Sequence, residues 1–156
     1  MLGSAAALNF AVGFLDSDPA LLHNRRVSIP FACVLAAFLL IYFPRGFVVR
    51  AQMAAPGGLD NRYPRDQQST LTGLGKRAQG AHLNSIETFG PFAASVFVAV
   101  LGHGKPRLID ILSVGFVAAR CLYIALYLGD VPSARTLVWM VGLGCTIGLF
   151  LLPLLA

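Results

Sequence analysis

The chain is 156 residues long, 56% hydrophobic and only 12% charged, with a mean hydropathy of +0.71. A soluble domain carries about 25% charged residues, so this chain lacks the side chains to cover a water-facing surface and reads as one integral membrane domain. Its net charge of +5 lies in basic residues set between apolar segments, which suits lipid headgroups and topology signals rather than nucleic acid.

Residues 1–27 form an N-terminal extension, and residues 28–156 the membrane domain. Met1 to Leu15 is mildly apolar, but no Lys or Arg precedes it and Asn9, Asp16 and Asp18 interrupt it. That pattern argues against a cleaved signal peptide and for a segment resting at the interface. Leu22-His23-Asn24-Arg25-Arg26 closes it with a basic boundary.

The first span is predicted over residues 28–50, with Pro30 at its start and Pro44 kinking its last turns. The loop 51–73 holds Pro56, Gly57, Gly58, Asp60, Asn61, Arg62, Pro64, Arg65 and Asp66, so it stands outside the bilayer. A second helix over 74–102 exceeds the hydrocarbon thickness and should bend at Gly90-Pro91. The third is predicted over 107–128 and the fourth over 133–155, where Gly142, Gly144 and Gly148 permit close helix approach. The expected fold class is therefore an all-α membrane protein, a four-transmembrane-helix antiparallel bundle.

An even number of spans puts both ends of the bundle on one side. Arg45, Arg50, Arg62, Arg65, Lys76, Arg77 and Arg135 outnumber Arg25, Arg26, Lys105 and Arg107 on the other, so the long loop is expected to be cytoplasmic. Cys33, Cys121 and Cys145 lie in apolar segments without paired spacing, so neither a disulfide nor a metal site is expected.

Two polar stripes break the apolar pattern. Arg77, Gly80, Asn84 and Glu87 share one face of the second helix, while His82 points away from it. Ser113, Phe116, Arg120, Tyr123 and Tyr127 share one face of the third. An arginine near the bilayer centre costs about 2.5–3.5 kcal/mol even on lenient insertion scales, so Arg120 needs a partner, and Glu87 is the expected one. Arg77, Arg135 and either Arg45 or Arg50 would stand at the cytoplasmic base of this cleft, with Tyr123 and Tyr127 as hydroxyl donors. Such a pocket suits a small polyanion whose reaction partner is dissolved in lipid, and cations beside a bound thiol favour its thiolate.

Each member has a plainer role when taken singly. Glu87 with Arg120 could be a clasp, Asn84 interhelical glue, Arg77 and Arg135 headgroup anchors, and Tyr127 an interfacial belt residue. Convergence on one cleft is what carries the functional reading.

The run Arg77-Ala78-Gln79-Gly80-Ala81-His82-Leu83-Asn84-Ser85-Ile86-Glu87, then Pro91-Phe92, resembles the second-helix signature of the MAPEG family, membrane-associated proteins of eicosanoid and glutathione metabolism. Ala119-Arg120-Cys121-Leu122-Tyr123 with Tyr127, and Arg135-Thr136 after the turn, match in order and spacing. The Asp60-Asn61-Arg62 and Pro64-Arg65 loop is similar to the family's bacterial branch. The resemblance runs from about Ile29 to the C-terminus.

It implies a homotrimer with glutathione as co-substrate between neighbouring subunits at the cytoplasmic side, and lipid and a lipophilic small molecule as further partners. By position, Arg135 would be catalytic at the glutathione sulfur, and Arg77, Asn84, Glu87, Arg120, Tyr123, Tyr127 and Thr136 would bind the tripeptide. The implied activity is a glutathione transferase or peroxidase-like one, in a bacterial inner membrane or, in a eukaryote, an endoplasmic-reticulum-type membrane. The family's glutathione enzymes usually carry an arginine where Gly80 stands, and some another at Leu83. The alternative is a non-catalytic protein of the same fold binding a lipid or other anion. A transporter or channel is disfavoured, because no pair of discontinuous helices is present.

Overall fold

The computed structural model describes residues 19–155, with side chains from Ile29 onward; the reading of residues 1–18 as an interfacial segment lies outside the described residues. The described chain is all helical: α1 (Pro19–Met53), the short loop helix α2 (Pro64–Ser69), α3 (Gly73–Leu101), α4 (Pro106–Leu128) and α5 (Pro132–Leu151), ending in a 3-10 turn at Leu152–Leu154. Four segments are long and apolar enough to cross a membrane: Ile29–Met53, Gly73–Leu101, Pro106–Leu128 and Pro132–Leu154. The expected four-span fold is thus present, and α1 already begins at Pro19.

Local chemistry sets the helix ends. Pro64, Pro106 and Pro132 sit in the first turns of α2, α4 and α5, where a missing N–H costs nothing. The turns after α3 and α4 pass through the left-handed region at His103 (φ 56) and Asp130 (φ 62), a conformation that short polar side chains tolerate better than branched ones. Helices α1 and α3 continue through Pro44 and Pro91. Beside Pro44, which cannot donate to the carbonyl of Leu40, His82 Nδ1 lies 2.8 Å from the carbonyl oxygen of Ile41 and ties α3 to α1.

Packing places α3 and α4 at the centre. Helix α1 lies against both, and α5 lies against both from the other side. In the core the Phe92 and Phe116 rings stack with centroids 3.8 Å apart and planes 5° apart. Val96, Ala99, Ile109 and Leu149 close around them. At the loop end, α3 approaches α1 so closely that a Cβ on Gly75 would lie 2.7 Å from the Cβ of Ala51. Large apolar side chains such as Leu35, Leu39, Phe43 and Leu137 remain exposed on the outer faces, as lipid requires and water would penalise.

The loop 54–72 is held by two amides. Gln52, fully buried at the end of α1, donates from Nε2 to the Pro64 carbonyl (3.2 Å) and to Gln67 Oε1 (3.0 Å). Gln67 returns bonds to the carbonyls of Gly58 (2.7 Å) and Gln52 (3.3 Å), and Asp60 N donates to Gln67 Oε1 at 3.1 Å. Asp60 Oδ1 then accepts from Arg62 N and Tyr63 N, an Asx turn that starts α2.

Candidate functional site

The two polar stripes meet where α3, α4 and α5 enclose a cavity of about 230 Å³. It is lined by the polar side chains of Asn84, Glu87 and Arg120 and by the apolar ones of Pro91, Phe116, Trp139 and Leu143. Arg120 is 4% exposed, and its guanidinium is the organising group. Nη1 donates to Asn84 Oδ1 at 3.0 Å, Nη2 donates to Ser85 Oγ at 3.2 Å, and the plane lies over the Tyr123 ring at 4.2 Å. Ser85 Oγ in turn donates to the Ala81 carbonyl at 2.8 Å.

This corrects the expected direct Glu87–Arg120 pair. The guanidinium reaches Asn84 and Ser85, and Asn84 Nδ2 makes the link to Glu87 Oε2 at 3.5 Å. Neutral acceptors satisfy the buried cation without desolvating a carboxylate as well. Glu87 stays exposed on the outer edge of the stripe.

From Arg120 the contacts continue toward the loop end. Tyr123 and Tyr127 meet edge to face, with centroids 5.6 Å apart and planes at 74°. Arg135, in the first turn of α5, places its guanidinium 4.1 Å over the Tyr127 ring. Cations thus sit on aromatic faces at both ends of a tyrosine pair, and spacings of three and four residues along α4 keep the row on one face. Stacking engages only the face of the guanidinium, so the in-plane N–H groups of Arg135 can meet an anion.

Gly80 is part of this construction. A Cβ there would overlap the Tyr127 hydroxyl and lie 2.7 Å from its Cζ, so the phenol is seated on bare backbone. The tip of Tyr127 therefore fills the space next to Gly80 that any side chain at that position would enter.

The structure does not bring every expected site residue into the cleft. Arg77 Nε donates to the Leu128 carbonyl (3.1 Å), and its Nη1 lies 3.5 Å from Asp130 Oδ2. Arg77 therefore caps the C-terminus of α4 and pairs with the left-handed residue after it. The Thr136 hydroxyl donates back to the Pro132 carbonyl at 3.1 Å, within the first turn of α5. Arg45, offered as a cation for the base of the cleft, opens instead onto the α1–α3 side, beside Arg65 and His82.

Reading the stripes alone misses Ser85, which stands about 100° from Asn84 yet takes the second arm of Arg120, and Asp130, which captures Arg77. A serine next to a stripe asparagine was the available signal for the first. Among the described residues, no group of three or more His, Cys, Asp or Glu is gathered for a metal ion.

In comparison with known proteins, the model of the MAPEG family matches residues 29–155, which includes all four spans and every residue of the cleft. No curated protein and no solved structure matches the chain.

Proposed function

The chain belongs to the MAPEG family, a family of membrane proteins of glutathione and eicosanoid metabolism, and from that premise we propose that it joins the thiolate of glutathione to a lipophilic electrophile. The observation that carries this reading is the unbroken row Asn84–Arg120–Tyr123–Tyr127–Arg135, whose Asn84 and Arg120 also line a cavity with apolar walls. The donor set suits a zwitterionic thiol. The exposed Glu87 carboxylate can take an ammonium, the tyrosine hydroxyls can take a carboxylate, and Arg135 provides the cation that a thiolate needs.

In this mechanism the thiol proton leaves to water, and Arg135 holds the sulfur anion. The sulfur lone pair then forms a carbon–sulfur bond, and the leaving group departs with its bonding electrons. Tyr127 keeps the Arg135 plane fixed, and the Arg120 network holds α3 and α4 in register so that Asn84 and Glu87 face the thiol. The electrophile enters laterally from lipid and meets the sulfur at Arg135. We place the site between subunits of a homotrimer, because a neighbour would cover the exposed Glu87. The loop is assigned to the cytoplasm, the side on which basic residues are more numerous.

A second reading is a non-catalytic member that binds a lipid or other anion, and one feature favours it: Arg77 is engaged with Asp130 and Gly80 carries no cation, so donors for a second carboxylate are few. Glutathione titration of the purified protein in detergent decides between them. The enzyme reading expects thiolate ultraviolet absorbance near neutral pH and conjugation of a generic aryl halide. Neither signal appearing would overturn it.

A further inference from the structure

We propose that the bundle binds one water molecule in its interior, on the α1 side of Arg120, as a third acceptor for the guanidinium. A second cavity, of about 10 Å³, lies there between α1, α3 and α4, with Ala37 and Phe116 in its wall and polar groups from Ser85, Thr88 and Arg120. Every side chain that lines it is buried or half-buried. That is about the room of one water, which needs roughly two to four polar partners when it is buried. The cleft is a different space. Its cavity opens between α3, α4 and α5, and only Thr88, Phe116 and Arg120 border both.

The hydrogen bonds around the cavity select the ligand. Both hydroxyl hydrogens are already committed, Ser85 Oγ to the Ala81 carbonyl at 2.8 Å and Thr88 Oγ1 to the Asn84 carbonyl at 2.9 Å. Each hydroxyl therefore offers the cavity only lone pairs. Arg120, by contrast, can only donate. Two of its N–H groups go to Asn84 Oδ1 and Ser85 Oγ, and Tyr123 covers its face rather than its edge. A ligand here must accept from a guanidinium and donate to hydroxyl oxygens at the same time. Water does both. A metal cation would be repelled by the guanidinium, and chloride would meet lone pairs at Ser85 and Thr88.

The need for this acceptor comes from α4 itself. A buried charged donor without a partner costs more than a neutral one, and Asn84 and Ser85 leave N–H groups of the guanidinium still to be met. Water meets one of them whichever ligand the cleft takes, so this site does not depend on glutathione. It also gives a reason for a small side chain on α1. The methyl group of Ala37, buried against the cavity, leaves the space that a larger residue would fill.

The direct test is a crystal structure of the unaltered protein, grown in a lipid phase and refined at a resolution that shows ordered water. A peak is expected within hydrogen-bonding distance of both the Arg120 guanidinium and Thr88 Oγ1. A bromide soak should give no anomalous signal there. Absence of the peak in a map that shows other buried waters overturns the proposal. A bromide signal at that place would mean an anion site, which overturns it too.

A second measurement compares two variants of equal shape that fill the space. Ala37→Thr brings a hydroxyl to where the water stands, and Ala37→Val brings a methyl group. Both are β-branched, so their helix costs are alike. The threonine variant should melt about 4 °C above the valine one, the order of one hydrogen bond to a buried charge in a chain of this length. A dry apolar cavity would favour valine, so valine melting level with threonine or higher overturns the proposal. The map of the unaltered protein decides by itself where neither variant folds.

Discussion

Arg120 donates to Asn84 Oδ1 across 3.0 Å, joining the middle of α4 to the middle of α3 through a charged donor and a neutral acceptor. The energetic asymmetry of that bond gives the first prediction. Asn84→Leu leaves a buried cation short of an acceptor and should cost about 3–5 kcal/mol, whereas Arg120→Met removes the cation together with its demand and should cost less. The double variant should recover part of the Asn84→Leu loss. Thermal unfolding in detergent followed by size exclusion measures the order, and Arg120→Met proving the worse of the two would contradict this account.

Gly80 and Tyr127 form a second coupled pair. Gly80→Ala must displace the tip of the Tyr127 ring, a cost that offsets the roughly 1 kcal/mol alanine gains over glycine inside a helix, so the net change should be a destabilisation of no more than about 1 kcal/mol. In a Tyr127→Leu background the same change should cost much less. A double-mutant cycle on unfolding measures the coupling, and strictly additive effects would show that the ring is not held by that glycine.

Arg135 is expected to act through both its charge and its flat shape. Arg135→Ala should lower conjugation by about 10²–10³-fold, the scale of losing one transition-state donor, with folded protein unchanged. Arg135→Lys keeps the charge but loses the planar stack over Tyr127 and should fall between the two. Rate measurements paired with thiolate absorbance separate these cases. Full activity with lysine would dismiss the role of the stack.

Asp130 carries two separable roles. Its pair with Arg77 is long and exposed, 30% on one side and 69% on the other, so Asp130→Asn should cost less than about 1 kcal/mol and lose its effect in high salt. Asparagine also accepts the left-handed backbone. Asp130→Val does not, and should cost roughly 1–3 kcal/mol more. Comparing the two variants by unfolding at low and high salt distinguishes electrostatics from backbone strain.

The helical framework could be read from the chain because apolar length and period dictate it. Residues 29–53 and 132–154 have little choice but to cross the bilayer, and spacings of three and four place Arg120, Tyr123 and Tyr127 on one face before any partner is known. What periodicity cannot supply is the axial offset between two helices. A shift of three residues along α3, about 4.5 Å, decides whether Arg120 meets Glu87 or Asn84. The Arg77–Asp130 pair depends on the path of a tight turn, and the Gln52–Gln67 knot on how a loop folds back, and neither leaves a periodic trace.

The two acceptors of Arg120, Asn84 and Ser85, both belong to α3, the span that precedes α4 in the chain. During synthesis, α3 therefore reaches the membrane before the segment that carries the unfavourable charge. Acceptors for the guanidinium are thus already in the bilayer when Arg120 arrives, so this order of spans lowers the cost of inserting α4 wherever it docks on α3 during insertion. Exchanging α3 for a purely apolar span would leave α4 to enter lipid with a bare guanidinium, which makes the biogenesis of the third span depend on two small polar side chains of the second.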